Sequence, residues 1–249
     1  MAGAEKETGP ASAGLRLLTL TGAVAICAPA TANAAAWIAP IDGQEIVTSS
    51  YGRRDGLSYY ETSGYLEAPV THNDSVVIAP WMIQDYSSDP AFRAEATIGL
   101  KHVIARSEHT ITAVQASALW VSAPPGHCEE GGVEVRALGG VNLPHNAFVN
   151  AEVAERVLSG GCADQRAEFT AGMHAGPHWM GLAQVFVDGP QYGDETVKAQ
   201  LSLVHFDNHH RGIQLGIRDR IDGGEHELAL VLSFWTEPGR ARRRQRERD

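Results

Sequence analysis

The feature that most constrains this chain is a strict two-residue alternation that recurs across most of its length. In ETVKAQLSLVHF, Thr196, Lys198, Gln200 and Ser202 fall on one face and Val197, Ala199, Leu201 and Leu203 on the other. RAEATIGLK sets Arg93, Glu95, Thr97 and Lys101 against Ala94, Ala96, Ile98 and Leu100, and RAEFTAGM, GIQLGIRDR and ELALVLSF repeat the pattern. Successive side chains of a strand point to opposite faces, so this period specifies β-structure; no stretch after residue 35 keeps a helical period. Clusters of Gly, Pro, Asn, Asp and His divide the chain into twelve predicted strands, near 43–53, 57–70, 75–86, 92–106, 110–123, 132–143, 147–158, 165–175, 179–188, 195–206, 211–221 and 226–235. Most are ten residues or longer, about what a tilted membrane-crossing strand needs.

The connectors suggest how the strands are arranged. THND, RSEH, LPHN, GPH and DNHH are tight, and YSSDPA, APPGHCEEGG, SGGCADQ, GPQYGDE and DGGEHE between them are roomier. Alternation of short and longer turns fits an up-and-down barrel with its tight turns at one end. Cys128 and Cys162 then fall in successive longer loops, where a disulfide can join them in an oxidising compartment. Export is expected from the N-terminus. LLTLTGAVAICA (17–28) is a short apolar run after Arg16, and Ala32-Asn33-Ala34 fits small-x-small cleavage, so residues 1–34 read as a signal peptide.

Charge narrows the partners. The tail 236–249 carries six Arg against Glu237, Glu247 and Asp249, and the segment before Ala35 is neutral. The net −10 of the whole chain therefore leaves −13 for the domain 35–235. An acidic body excludes nucleic acid as a partner, since phosphates need a basic face. The basic tail reads as a disordered, solvated end.

Alternation alone does not say which face meets water. A soluble sandwich buries its apolar face, whereas a membrane barrel turns that face to lipid and fills its centre with polar groups. Export, turn asymmetry and an even strand count that closes without an open edge favour the barrel. The expected fold is therefore all-β, a closed antiparallel up-and-down transmembrane barrel of about twelve strands. Strand 75–86 fits least well: SVVIAPWMI is apolar on both faces, and Pro80 lacks a ladder donor. A bulge at Pro80, with Ile78 and Met82 inward, would reconcile it. Trp120, Trp179, Trp235 and Phe206 lie near strand ends, at the level of a membrane interface.

In that barrel the interior-facing, pore-lining positions are Glu61, Glu67, Arg93, Glu95, Lys101, Glu134 and Arg136. Glu152, Arg166, Glu168, Lys198, Arg218 and Arg220 continue the set, with Arg156 and Glu227 in the same phase. Acids and bases are nearly balanced, which leaves two outcomes open: a solute-passing lumen, or neighbours on adjacent strands that pair and plug the centre. Arg136, Arg166, Arg218 and Arg220 could form an anion-attracting stripe for acidic sugars or small carboxylates. His72, His109, His145, His178, His209 and His210 fall in the tight turns, which diverge around a rim, so no metal site is expected. No G-x-S-x-G elbow, H-E-x-x-H, phosphate loop or paired CxxC occurs, so neither an enzyme nor a cofactor is expected.

Segments DETVKAQLSLV, RGIQLGIR and LALVLSFW make the chain resemble small outer-membrane β-barrel proteins of Gram-negative bacteria, porin-like or transporter-like, over roughly residues 43–235. The resemblance implies an outer-membrane location, lipid as the surrounding partner, and passive or weakly selective passage of small anionic or neutral solutes. The alternative is a non-conducting barrel, or a secreted soluble β-protein, acting through its loops on a partner.

Overall fold

A strand that alternates polar and apolar residues needs two different surroundings, and a sheet of such strands needs an end to its edges. The computed structural model meets both needs by closing the sheet on itself. It describes residues 43–237 except 55, 87–91, 123, 125–127, 192–193, 208–210 and 225; the segment 1–34 and the Arg-rich tail lie outside the described residues. The strands are β1 (Gln44–Arg54), β2 (Leu57–Pro69), β3 (Asp74–Asp85), β4 (Phe92–Arg106), β5 (Thr110–Val121) and β6 (Gly131–Leu143). There follow β7 (Ala147–Leu158), β8 (Cys162–His174), β9 (Trp179–Pro190), β10 (Thr196–Phe206), β11 (Gly212–Asp222) and β12 (Glu227–Thr236). Each pairs antiparallel with its sequence neighbours, and β12 pairs with β1 from Glu45↔Thr236 to Arg54↔Glu227, completing a closed barrel.

The polarity of the two faces is the reverse of a soluble protein's. Ile98, Leu100, Leu201, Leu203, Leu215, Ile217 and Leu230 point outward and are exposed. Glu67, Lys101, Glu134 and Glu227 point inward, each at most 1% exposed. Strand β5 shows the phase most plainly: Gln115 and Ser117 are buried inside while Val114 and Trp120 face out. An apolar belt of this extent far exceeds the few hundred Å² that soluble monomers leave bare.

The end where β1 begins and β12 finishes (the terminal end) has connectors at 70–73, 107–109, 144–146, 175–178 and 207–211. At the opposite, distal end, the clear excess in length belongs to two connectors, 86–91 and 122–130. SGGCADQ is not a roomy loop: β8 starts at Cys162, and Ser159, Gly160 and Gly161 turn the chain with both glycines at positive φ, which a Cβ would oppose.

Strand β3 departs from expectation in two ways. Ile78 and Met82 face outward, and Val77, Trp81 and Ile83 fill the interior instead. There is also no bulge. The β2–β3 ladder runs to Ser63↔Trp81 and resumes at Leu66↔Ile78 in the same register. It skips only the positions of Gly64 and Tyr65 opposite Ala79 and Pro80, where proline has no N–H to give. Gly64 eases the fit, because a Cβ there would lie a tight 3.1 Å from Pro80 Cγ.

Candidate functional site

Alternation brings the charged residues of non-neighbouring strands into one enclosed space, where they bond across the interior as well as along the wall. Arg218 on β11 reaches Glu61 on β2 (Nη2–Oε2 2.8 Å). Arg156 on β7 reaches Glu95 on β4 (2.9 Å), and Arg166 on β8 also reaches Glu95 (3.1 Å). Lys101 on β4 holds Glu67 on β2 (2.6 Å), and the Tyr65 hydroxyl donates to the same carboxylate. Adjacent strands add Arg136–Glu152, Arg166–Asp188 (3.2 Å) and Arg156 Nε–Glu134 Oε2 (2.9 Å), the last a charge contact without hydrogen-bond alignment. Arg136 Nη2 also donates to Glu134 (2.9 Å).

Glu227, near the distal end, is the most shared carboxylate. Arg54 (3.0 Å), Lys198 (3.3 Å) and Arg220 (2.7 Å) surround it, and the Tyr59 hydroxyl donates to it at 2.7 Å. Burying several charges together is costly unless each finds a partner, and this clustering meets that condition.

Between these clusters lies a chamber of about 420 Å³. Gln184, Gln200 and Gln214 form its uncharged wall: Gln200 donates to Gln184 (3.0 Å), and the Trp235 indole donates to Gln214 (2.9 Å). Glu168 sits beside this wall, accepting from the Thr170 hydroxyl and the Gln184 amide, both at 3.1 Å. Among the described residues no cation lies within ion-pairing distance of it. Towards the terminal end the floor is apolar, with Phe148, Met180, Leu182 and Val204 packed together and Phe206 and Trp235 against them. Two glycines make room for the rings. A Cβ at Gly172 would overlap Phe148, and one at Gly212 would lie 2.9 Å from Phe206.

Of the thirteen charged positions expected inside, twelve fall in the interior. Arg93 shares the inward phase of Glu95 but is exposed at the distal end of β4. The four arginines of the expected anion stripe do not stand free, since each of Arg136, Arg166, Arg218 and Arg220 carries a carboxylate. Phe206 and Trp235 are not rim aromatics, because their phase turns them into the floor; Trp120 and Trp179 are exposed on the outer face. Tyr59, Arg54 and Asp188 were not singled out from sequence: Tyr59 shares the phase of Glu61 and Glu67 on β2, whereas β1 and β9 carry no charge that the alternation had marked as inward.

Cys128 and Cys162 are bonded, with Cα atoms 5.8 Å apart, and pack against Leu119, Val121 and Leu158 at the distal end. His72, His109, His145 and His178 lie in terminal-end connectors, and His209–His210 fall outside the described residues. No group of three or more metal-ligating side chains occurs among the described residues.

No protein-family model matches this chain, and no curated protein sequence does. Several solved structures are similar to it, outer-membrane channels among them. An outer membrane channel from Pseudomonas putida F1 superposes with a TM-score of 0.55 at 11% identity, over 79% of this chain and 95% of that one. The KdgM porin superposes with a TM-score of 0.52 at 5% identity, over 76% and 98%. The chain has the fold of outer-membrane β-barrel channels.

Proposed function

We propose that this protein is an outer-membrane barrel that passes small solutes passively through a narrow, weakly selective lumen, after export directed by residues 1–34. One observation carries the reading: apolar side chains cover the outside of a closed barrel while charged and amide groups line a chamber within it. An apolar belt suits lipid, and a closed sheet is the one β-structure that leaves no unpaired backbone in a bilayer. The chamber is polar enough to hold water and small enough to exclude large cargo. By fold-level analogy, two of the similar structures, a channel and a porin, support the same reading.

The alternative outcome, a plugged lumen, would have pairing close the centre. In support of the open reading, a chamber remains beside the cross-lumen pairs, and Arg166 and Asp188 in its lining are 38% and 41% exposed. Planar-bilayer recording of the purified, refolded protein tests the proposal. Discrete single-channel steps with a permeability ratio near unity for K⁺ and Cl⁻ are expected; a silent bilayer containing correctly folded protein would remove the channel reading.

A further inference from the structure

A row of uncharged polar side chains crosses the closure of the barrel. Ser63 on β2 lies in register with Thr48 on β1, Thr48 with Ser233 on β12, and Ser233 with Gln214 on β11, and all four line the chamber. The Thr48 hydroxyl donates to Ser233 (2.9 Å). A second row in register, Gln200 on β10, Gln184 on β9 and Thr170 on β8, lines it as well. The charged side chains of the same lining are engaged with carboxylates or cations of their own. Arg218 holds Glu61, Arg136 holds Glu152, Arg166 holds Asp188 and Lys198 holds Glu227. A solute's charge would leave water there without finding a free counter-charge, which is costly.

The partners of the amides fix which way each one faces. An indole N–H only donates, so Trp235 takes the oxygen of Gln214 (2.9 Å), and the NH₂ group of Gln214 has no partner among the described residues. Glu168 Oε1 accepts from the NH₂ group of Gln184 (3.1 Å), so the Gln184 oxygen turns to β10 and accepts from Gln200 (3.0 Å). The NH₂ group of Gln200 also donates to the Ser202 hydroxyl (3.1 Å), and its oxygen is left open. Gln200 and Gln214 are 6% and 4% exposed and belong to the chamber wall. The wall thus offers one fixed acceptor and one fixed donor group, neither of them charged. Gln214 pairs with Val204, four residues along β10 from Gln200, so a solute moving through the lumen meets the two in succession.

A carboxylate or an ether oxygen only accepts and suits Gln214 but not the Gln200 oxygen; an ammonium only donates and suits the reverse. A hydroxyl does both. Resting on the channel reading above, we propose that the chamber binds small uncharged polyhydroxylated solutes in transit, in preference to ethers or carboxylates of similar size. The open oxygen of Gln200 and the open NH₂ group of Gln214 set the preference.

Planar-bilayer recording from the full chain tests this with three probes added in turn. Xylitol carries a hydroxyl on every carbon, triethylene glycol is a similar-sized chain with ether oxygens in its middle, and xylonate is the acid related to xylitol. Xylitol is expected to interrupt the open-channel current for ~3-fold longer or more than triethylene glycol, about the worth of one neutral hydrogen bond. Xylonate is expected to give shorter interruptions than xylitol. Gln200→Leu and Gln214→Leu are each expected to bring the ratio of xylitol to triethylene glycol towards one. Heat-modifiable migration of each variant verifies that its barrel is closed before currents are compared. Equal interruptions by xylitol and triethylene glycol would overturn the polyol proposal and leave the channel reading standing. So would longer interruptions by xylonate than by xylitol, or a ratio unmoved by both variants. A silent bilayer containing correctly folded protein would remove the channel reading and the proposal with it.

Discussion

Arg218 and Glu61 meet inside the barrel as a two-point pair, Nη1 to Oε1 at 3.1 Å and Nη2 to Oε2 at 2.8 Å, although strands β12 and β1 lie between their own. The contact spans the closure of the sheet, so it ties together the second strand of the chain and the second from its end. Both residues are about 10% exposed; removing Arg218 leaves Glu61 buried without its ion-pair partner, and removing Glu61 leaves Arg218 only the longer contact with Glu227 at 4.0 Å, which other cations already share. Glu61→Leu is therefore expected to lower unfolding stability by about 3–5 kcal/mol, as for other broken buried pairs. Urea titration of the refolded protein measures it. The double change Glu61→Leu with Arg218→Met is expected to cost less than Glu61→Leu alone, since no uncompensated charge remains.

Outward and inward positions on one strand are expected to respond oppositely to a new charge. Leu201 on β10 faces out at 62% exposure, and its neighbour Gln200 faces the chamber. In a lipid-facing wall, Leu201→Arg costs about 2–4 kcal/mol near the bilayer midplane. Gln200→Arg is expected to cost less in stability and to shift ion selectivity towards anions. Folding yield into lipid vesicles reports the first effect, and reversal potential reports the second.

The disulfide closes a segment of sequence separation 34 that contains all of β6 and β7. Cross-linking a loop of this length removes denatured-state entropy worth about 4 kcal/mol in the chain-entropy model. Replacing both cysteines with serine is expected to lower the unfolding temperature without altering single-channel conductance, because the bond packs at the distal end away from the chamber.

The apolar floor is expected to limit conductance, since hydrophobic constrictions resist wetting. Phe148 and Val204 are buried there at 2% and 0% exposure. Val204→Ser is expected to raise single-channel conductance relative to the unaltered protein; an unchanged or lower value would place the narrowest point elsewhere.

Much of this architecture was legible in the alternation itself. Strand β10 reads unambiguously because Lys198 and Gln200 alternate with Leu201 and Leu203; the phase separates the two sets, and export, turn asymmetry and the even strand count turn the polar one inward. Strand β3 was harder, because its residues are apolar on both faces: Ile78 and Val77 carry no polarity difference, so only pairing with β2 and β4 decides which one enters the barrel. Phe206 and Trp235 show a related limit. Proximity to a strand end suggested an interface, but the phase shared with Val204 and Ser233 governs, and Gly212 opens the space the rings occupy. Individual charges were legible too, but not their partners. Register fixes neighbours such as Glu134 and Arg156, whereas the meeting of Arg218 with Glu61 depends on closure and curvature, which no local pattern encodes.

The most direct test of the closed, lipid-facing barrel is gel migration of the protein refolded in detergent, run without boiling and after boiling. A closed barrel resists unfolding until heated, so the unboiled sample is expected to migrate faster than the boiled one and to stay in solution only with detergent or lipid. A single band under both conditions, from protein that is monomeric and soluble in buffer without detergent, would contradict the account.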